Sequence, residues 1–251
     1  MVDIEIVVPI SISGVWIPRF HELPEYTGSL GIALVLEPPI IAMPRKSGLK
    51  LIYNNYIISN FPNLNILKNL GELSLIIESK VPLGYGYGVS ASISLAYALA
   101  AYEYGYADLK RALITAHVSE VVNKNGLGDV IVQWAGGGLV YRKKPGAPFI
   151  GEVEKIDTNF KGLIYSKPLE KIPTSTIIRE TPAEDLINEF LKFKSIEKFF
   201  EVARKFNERL GFITEYPNSF RKKGVIVILG NPTLSESWIK HNLAKYGAYV
   251  R

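Results

Sequence analysis

The chain contains no cysteine. Disulfides, thiolate metal sites and a cysteine nucleophile are excluded together, so nucleophilic work falls to oxygen or to a substrate. Only three histidines occur, His21, His117 and His241, and none has a second histidine at zinc-ligand spacing, which sets zinc chemistry aside. Long apolar runs are lacking as well. The longest, such as Ile4 to Ile12 and Val225 to Leu229, fall far short of the roughly 20 residues that cross a bilayer. No basic segment followed by an apolar one and a cleavage site opens the chain, so a cytoplasmic protein with no membrane partner is expected. The basic residues form no dense stripe interleaved with aromatics. They are spread over 143–144, 192–194, 204–205 and 221–223, a pattern that argues against a nucleic-acid partner.

What is present is enough to build an ordinary globular protein. At 251 residues, 47% hydrophobic and 21% charged, the chain can bury a core and holds one large domain or two small ones. Its formal charge of +5 suits an anionic ligand.

The first third is strand-like, with β-branched runs at 4–10, 32–36, 49–53 and 73–78 separated by Gly, Pro and Asn. The pattern then turns helical. Ala91, Leu95, Leu99 and Tyr102 recur at helical spacing, and Leu109, Ala112, Leu113, Ala116 and Glu120 share the next helical face. A short helix follows Gly126 and Gly128, and 139–155 reads as a hairpin around the sequence PGAP. From about residue 157 the order resets to strand, helix, helix, strand, helix, strand, the last helix expected over 234–245. Such alternation fits a small α+β sandwich. The expected boundary gives domains 1–157 and 158–251.

Three places could carry chemistry. Gly84, Gly86 and Gly88 lie between a strand and a long apolar helix whose first turn holds Ser90 and Ser92. Glycines there let backbone N–H groups converge on an anion at the positive helix end, though a tight turn without ligand has the same pattern. No lysine completes a Walker A loop, and Val89 stands where a dinucleotide fingerprint needs glycine. Glu120, one turn after His117, has the hard oxygens that suit magnesium, or else is a surface or capping carboxylate. Asp129 follows two glycines and precedes an apolar segment, so it is either a helix-start acid or a group that orients a hydroxyl during phosphoryl transfer.

The stretch PLGYGYGVSAS, from Pro82 to Ser92, resembles the second motif of the GHMP kinase superfamily, with Tyr87 and Val89 as departures. The segments GSLGIALVLE at 28–37, AHVSEVV at 116–122 and GLGDVIVQWAGGGLVYRKKPGAP at 126–148 are similar to the archaeal pantoate kinases within it. The resemblance implies a GHMP kinase fold: an N-terminal domain like domain 2 of ribosomal protein S5, followed by a ferredoxin-like α/β sandwich. It also implies ATP as phosphoryl donor, Mg2+ as cofactor and pantoate as acceptor, on the route to coenzyme A.

By position, Pro82, Gly84, Gly86, Gly88, Ser90 and Ser92 are then expected at the nucleotide, Ser90 and Glu120 at the metal, and Asp129 as the catalytic aspartate. Ser29, His117 and Arg142 match substrate positions; Arg142 could pair bidentately with a carboxylate, and Ser29 and His117 could bond hydroxyls. Alternatives are a related kinase for mevalonate, homoserine or a sugar, and a non-enzymatic RNA- or nucleotide-binding protein. The first superfamily motif has no lysine here, only Ser11 and Ser13, and the third, glycine-rich motif is not visible near 221–231. Arg221, Lys222 and Lys223 are expected as a solvated basic turn, and the apolar stretch at 15–17 is the candidate face for a homodimer.

Overall fold

The computed structural model describes residues 4–172, 181–231 and 238–251. Its first group of elements is β1 (Ile6–Arg19), β2 (Gly28–Arg45), β3 (Leu51–Tyr53), β4 (Tyr56–Ile57), α1 (Leu64–Leu67), β5 (Ser74–Glu78), α2 (Val89–Glu103), α3 (Leu109–Val122), α4 (Asp129–Ala135), β6 (Leu139–Lys144) and β7 (Glu152–Ile156). A second group follows: β8 (Ile164–Pro168), α5 (Glu184–Phe193), α6 (Ile196–Arg209), β9 (Ser219–Lys222), β10 (Val225–Leu229), β11 (Ile239–Leu243) and β12 (Tyr249–Val250). The architecture is α+β.

A long antiparallel hairpin of β1 and β2 is the frame on which the rest is built. Thirteen of the 14 residues of β1 are buried, because helices cover it along its length. Pro9, which has no N–H to give a ladder, falls at a register shift between Val8 and Ile10, the place a strand tolerates proline. A second shift, between Ser13 and Val15, contains Gly14. Here α6 lies directly on the strand. A Cβ on Gly14 would stand 2.6 Å from the Phe199 ring and 2.7 Å from the Ala203 Cβ, and Asn207 Nδ2 donates to the Gly14 carbonyl at 3.0 Å.

The other strands grow outward from β2, which pairs antiparallel with β5, β6 and β11. Among the second group, β8 lies between β10 and β11, and β9 forms a hairpin with β10. Because β11 pairs with both β8 and β2, it joins the two groups of strands. Helix α2 is central, with small and apolar residues buried on every side, as expected of a helix packed all round.

Two expectations are corrected. The helix expected over 234–245 is a strand where it is described, at 239–243, with residues 234–237 outside the described residues. Its helix-like composition loses to the two ladders it completes, and to the bond between His241 Nε2 and Ser166 Oγ at 2.7 Å. The stretch at 15–17 is not exposed: Val15, Trp16 and Ile17 are buried, and Trp16 meets the Phe206 ring edge-on at 4.6 Å. The homodimer therefore loses the face proposed for it. Among the described residues no helix is long and apolar enough to cross a membrane.

Candidate active site

The glycine turn forms as its sequence requires. Gly84, Gly86 and Gly88 all have positive φ, at 96°, 107° and 68°. Gly88 is also sterically constrained, since a Cβ there would lie 2.6 Å from Ser11 Oγ and 2.8 Å from Gln133 Nε2. It is the N-cap of α2 and has no side chain to cap the helix. The first N–H groups of a 15-residue helix, at its positive end, thus meet the cavity without a side-chain acceptor.

That turn is one wall of a cavity of about 600 Å3. Ser90, Gly126, Gly128, Asp129 and Ser29 line it as well, so residues far apart in sequence are brought together. Ser90 Oγ donates to Glu120 Oε2 at 2.9 Å, linking the start of α2 to α3. Asp129, the first residue of α4, accepts from Ser11 Oγ at 2.8 Å through Oδ1. Both carboxylates reach Gly126, where a Cβ would be 3.1 Å from Glu120 Oε2 and 3.2 Å from Asp129 Oδ2.

Glu120 is buried and its chemistry is shifted accordingly. Burial pushes its carboxyl up to about 8, against the opposing hydrogen bonds from Ser90 and Asn63. Asn63 Nδ2 donates to Glu120 Oε1 at 2.5 Å, and Asn125 Nδ2 to Asn63 Oδ1 at 2.7 Å. Neither asparagine announces itself in sequence, because nothing before folding places the loop ahead of α1 beside α3.

The remaining expected residues lie mostly behind the cavity surface. Ser92 is buried and donates to the Gly88 carbonyl at 3.2 Å, so it braces the turn from behind instead of facing a ligand. Pro82 begins the turn without being a lining residue. His117 is buried; its Nε2–H donates to the Thr27 carbonyl at 2.8 Å, and burial lowers its pKa to about 4, so the ring is neutral.

Arg142 is buried beneath the same wall. Its Nε donates to the Ser29 carbonyl at 3.3 Å, Nη1 to Ser13 Oγ at 3.1 Å and Nη2 to the Val15 carbonyl at 3.4 Å. The guanidinium expected to grip a carboxylate is committed to three protein acceptors. Gly128 packs on it, and a Cβ there would be 2.8 Å from Arg142 Nε.

The expectation of a solvated basic turn at 221–223 is overturned. Lys222 and Lys223 are only 6% and 5% exposed, and both line the cavity. The β9–β10 hairpin carries them in from the second group of elements, and α6, packed on both β1 and β9, fixes its approach. Lys222 Nζ donates to the Gly86 carbonyl at 3.3 Å. Burial lowers the pKa of both lysines, that of Lys223 to about 7, while Asp129 pulls each the other way. Arg221 stays nearer the surface, with its Nη2 on Glu170 Oε1 at 2.5 Å.

Chemically, the cavity joins a helix N-terminus, hydroxyls, the Asp129 carboxylate with Glu120 buried behind Ser90, and buried cations, a set suited to holding a phosphorylated donor beside a hydroxyl acceptor. A family model described as the GHMP kinases N terminal domain matches residues 55–137, the stretch that contains the glycine turn, Ser90, Glu120 and Asp129. Members of that class are kinases that use ATP as phosphoryl donor.

The chain is 30% identical over 202 residues to the pantoate kinase of Methanocaldococcus jannaschii, covering 75% of this chain and 74% of that protein. It is 35% identical over 111 residues to the pantoate kinase of Thermococcus kodakarensis, a match that spans 41% of this chain and 36% of that relative's length. A solved structure described as a phosphotransferase related to the CoA biosynthesis pathway superposes over 99% of this chain and 98% of its own, with a TM-score of 0.82 at 24% identity. The fold is thus that of the GHMP kinases, and the chain belongs to the pantoate kinase family.

Proposed function

We propose that this protein transfers the γ-phosphoryl group of ATP to the primary hydroxyl of pantoate, giving 4-phosphopantoate on the archaeal route to coenzyme A. The observation that carries this reading is the meeting of Ser90, backed by the buried Glu120 that it bonds, and Asp129 at one cavity, beside the uncapped start of α2, in a chain of this family.

The triphosphate is assigned to the glycine turn, where backbone N–H groups and the helix dipole favour negative charge. Asp129 is assigned to the acceptor hydroxyl. Ser11 fixes its Oδ1, and Gln133 Nε2 in turn donates to Ser11 Oγ at 2.9 Å, so the carboxylate is held in place before substrate arrives. From there it orients the hydroxyl for in-line attack and accepts its proton as the O–P bond forms. Ser29 and Ser13 line the acceptor side, and Arg142 positions both from beneath while adding buried positive charge. His117 holds the Thr27 main chain two residues from Ser29.

Ser90 Oγ and Glu120 Oε2 fit magnesium: they are hard oxygens already 2.9 Å apart, and a carboxyl pushed up to about 8 by burial gains most from a cation beside it. Bound there, Mg2+ would neutralise charge on the β- and γ-phosphates. Placement and charge stabilisation suffice, with no covalent enzyme intermediate. In this reading residues 1–157 form one domain and 158–251 a second that lends the lysine hairpin to the cavity.

Mass spectrometry of pantoate incubated with protein, ATP and magnesium is expected to show one added phosphoryl group. Unmodified pantoate would sink the assignment, and a panel of mevalonate, homoserine and sugars would then identify the acceptor. In Asp129→Ala, kcat is expected to fall about 10²–10⁴-fold while the circular dichroism spectrum shows the fold intact.

A further inference from the structure

Transfer of a phosphoryl group builds charge on oxygens that arginine, lysine or metal must stabilise. The first strand supplies no lysine for this purpose: Ser11, Ser13 and Trp16 are the residues of β1 that reach the site. The cation comes instead from the other side of the cavity.

We propose that Lys222 and Lys223 form a phosphate clamp, a cationic pair that the β9–β10 hairpin places opposite the glycine turn to hold the β- and γ-phosphates of the donor during transfer. The inference rests on the kinase reading above and adds to it the residues of the C-terminal part that complete the donor site.

Four observations support it. Both side chains are buried within the cavity wall, where lysine is rarely found, and both interact with Asp129. The hairpin is seated on the turn: Lys222 Nζ bonds the Gly86 carbonyl, and a Cβ on Gly86 would come within 3.3 Å of the Lys222 carbonyl and of Val225 Cγ1. Anything bound by the turn is therefore within reach of the hairpin.

The local charge is also unbalanced. Lys222, Lys223 and Arg142 are three buried cations that interact with Asp129, and Lys222 is disfavoured by Arg142 as Lys223 is by Lys222. Against them stand two carboxylates, Asp129 and Glu120. An anionic ligand removes that excess.

Finally, Lys223 occupies φ +52°, a left-handed conformation in which glycine is at home and lysine is strained. The next residue is Gly224, so the turn had a glycine available and still places a lysine in the left-handed position. Strain retained in a cavity wall points to function.

The test uses the full chain with Lys222→Met, Lys223→Met and Lys223→Gly. Each is expected to lose at least about tenfold in kcat or in affinity for ATP, with KM for pantoate within about twofold. Lys223→Gly is expected to melt no lower than wild type, because glycine relieves the left-handed residue. A merely structural role predicts the opposite pattern, a lower Tm with both KM values altered alike, and would overturn the clamp.

Calorimetric titration with inorganic tripolyphosphate gives a readout independent of turnover. Wild type is expected to bind it in a salt-sensitive manner, and both methionine variants more weakly. Equal tripolyphosphate affinity in wild type and variants refutes the clamp even if the kinase reading stands. Weaker tripolyphosphate binding by the variants, together with a wild type that leaves pantoate unmodified, refutes the acceptor assignment and keeps the clamp.

Discussion

Ser11 shows how a residue of little note in sequence acquires weight. It accepts from Gln133, donates to Asp129 and would collide with any side chain on Gly88, so one hydroxyl ties α4, the glycine turn and β1. Ser11→Ala removes the bond that fixes Asp129 without opening a large cavity. We expect kcat to fall about 10–100-fold while Tm changes by only a few degrees, as kinetics and a thermal melt would register. Wild-type turnover in that variant would show that Asp129 needs no such support. Ser90 and Asp129 stood out in sequence beside their glycines, and the resemblance to the family singled out these two and Glu120 by position. The partners Asn63, Asn125 and Ser11 did not stand out, since an amide or hydroxyl in a strand or loop looks alike whether it faces solvent or a buried carboxylate.

Among elements, the glycine turn and β11 form the informative pair. Tyr87 in the turn bonds Ser166 Oγ of β8 at 2.8 Å, Ser166 bonds His241 Nε2 of β11 at 2.7 Å, and His241 Nδ1–H donates to the Glu37 carbonyl of β2 at 2.9 Å. This chain of side chains explains why a tyrosine occupies the turn: its ring is buried and its hydroxyl fastens the glycine turn to the second group of strands. Tyr87→Phe leaves buried Ser166 with one partner fewer, a loss of about 1–3 kcal/mol readable in urea unfolding. Gly88→Ala is expected to be worse for function than for stability. The added Cβ must displace Ser11 or Gln133, so ATP affinity and kcat should both drop; a variant with normal kinetics would show that the turn tolerates a side chain.

At the level of the whole molecule, two buried histidines are expected to contribute strongly to the response to acid. Burial holds His117 and His241 to about 4, against about 6.5 in an unfolded chain. Between those values the unfolded state binds more protons, so stability falls as pH drops from 6.5 to 4, by on the order of 3 kcal/mol for each histidine. Glu120 acts in the opposite sense. Its folded value of about 8 means that the native state keeps a proton that the unfolded chain releases above about 4.5, which offsets part of the loss between 4.5 and 6.5. Urea midpoints of the metal-free protein measured from pH 6.5 to 4 should therefore decline more steeply in Glu120→Gln and less steeply in His241→Asn. Parallel curves for all three proteins would show that these groups do not carry the acid response.

The sequence by itself determined the glycine turn, the helix that follows it, the carboxylates at 120 and 129 and the family to which they belong. Backbone freedom, apolar periodicity and side-chain chemistry are properties of adjacent residues and need no tertiary contact. Only the folded chain decided that 239–243 is a strand, that Val15, Trp16 and Ile17 are buried, Trp16 against Phe206 of α6, that Arg142 is spent on Ser13, Ser29 and Val15, and that Lys222 and Lys223 enter the cavity. Each of these depends on partners more than a hundred residues away or on the other side of a sheet. A basic turn becomes a buried cationic pair when α6, resting on the bare backbone of Gly14, brings the hairpin against the glycine turn.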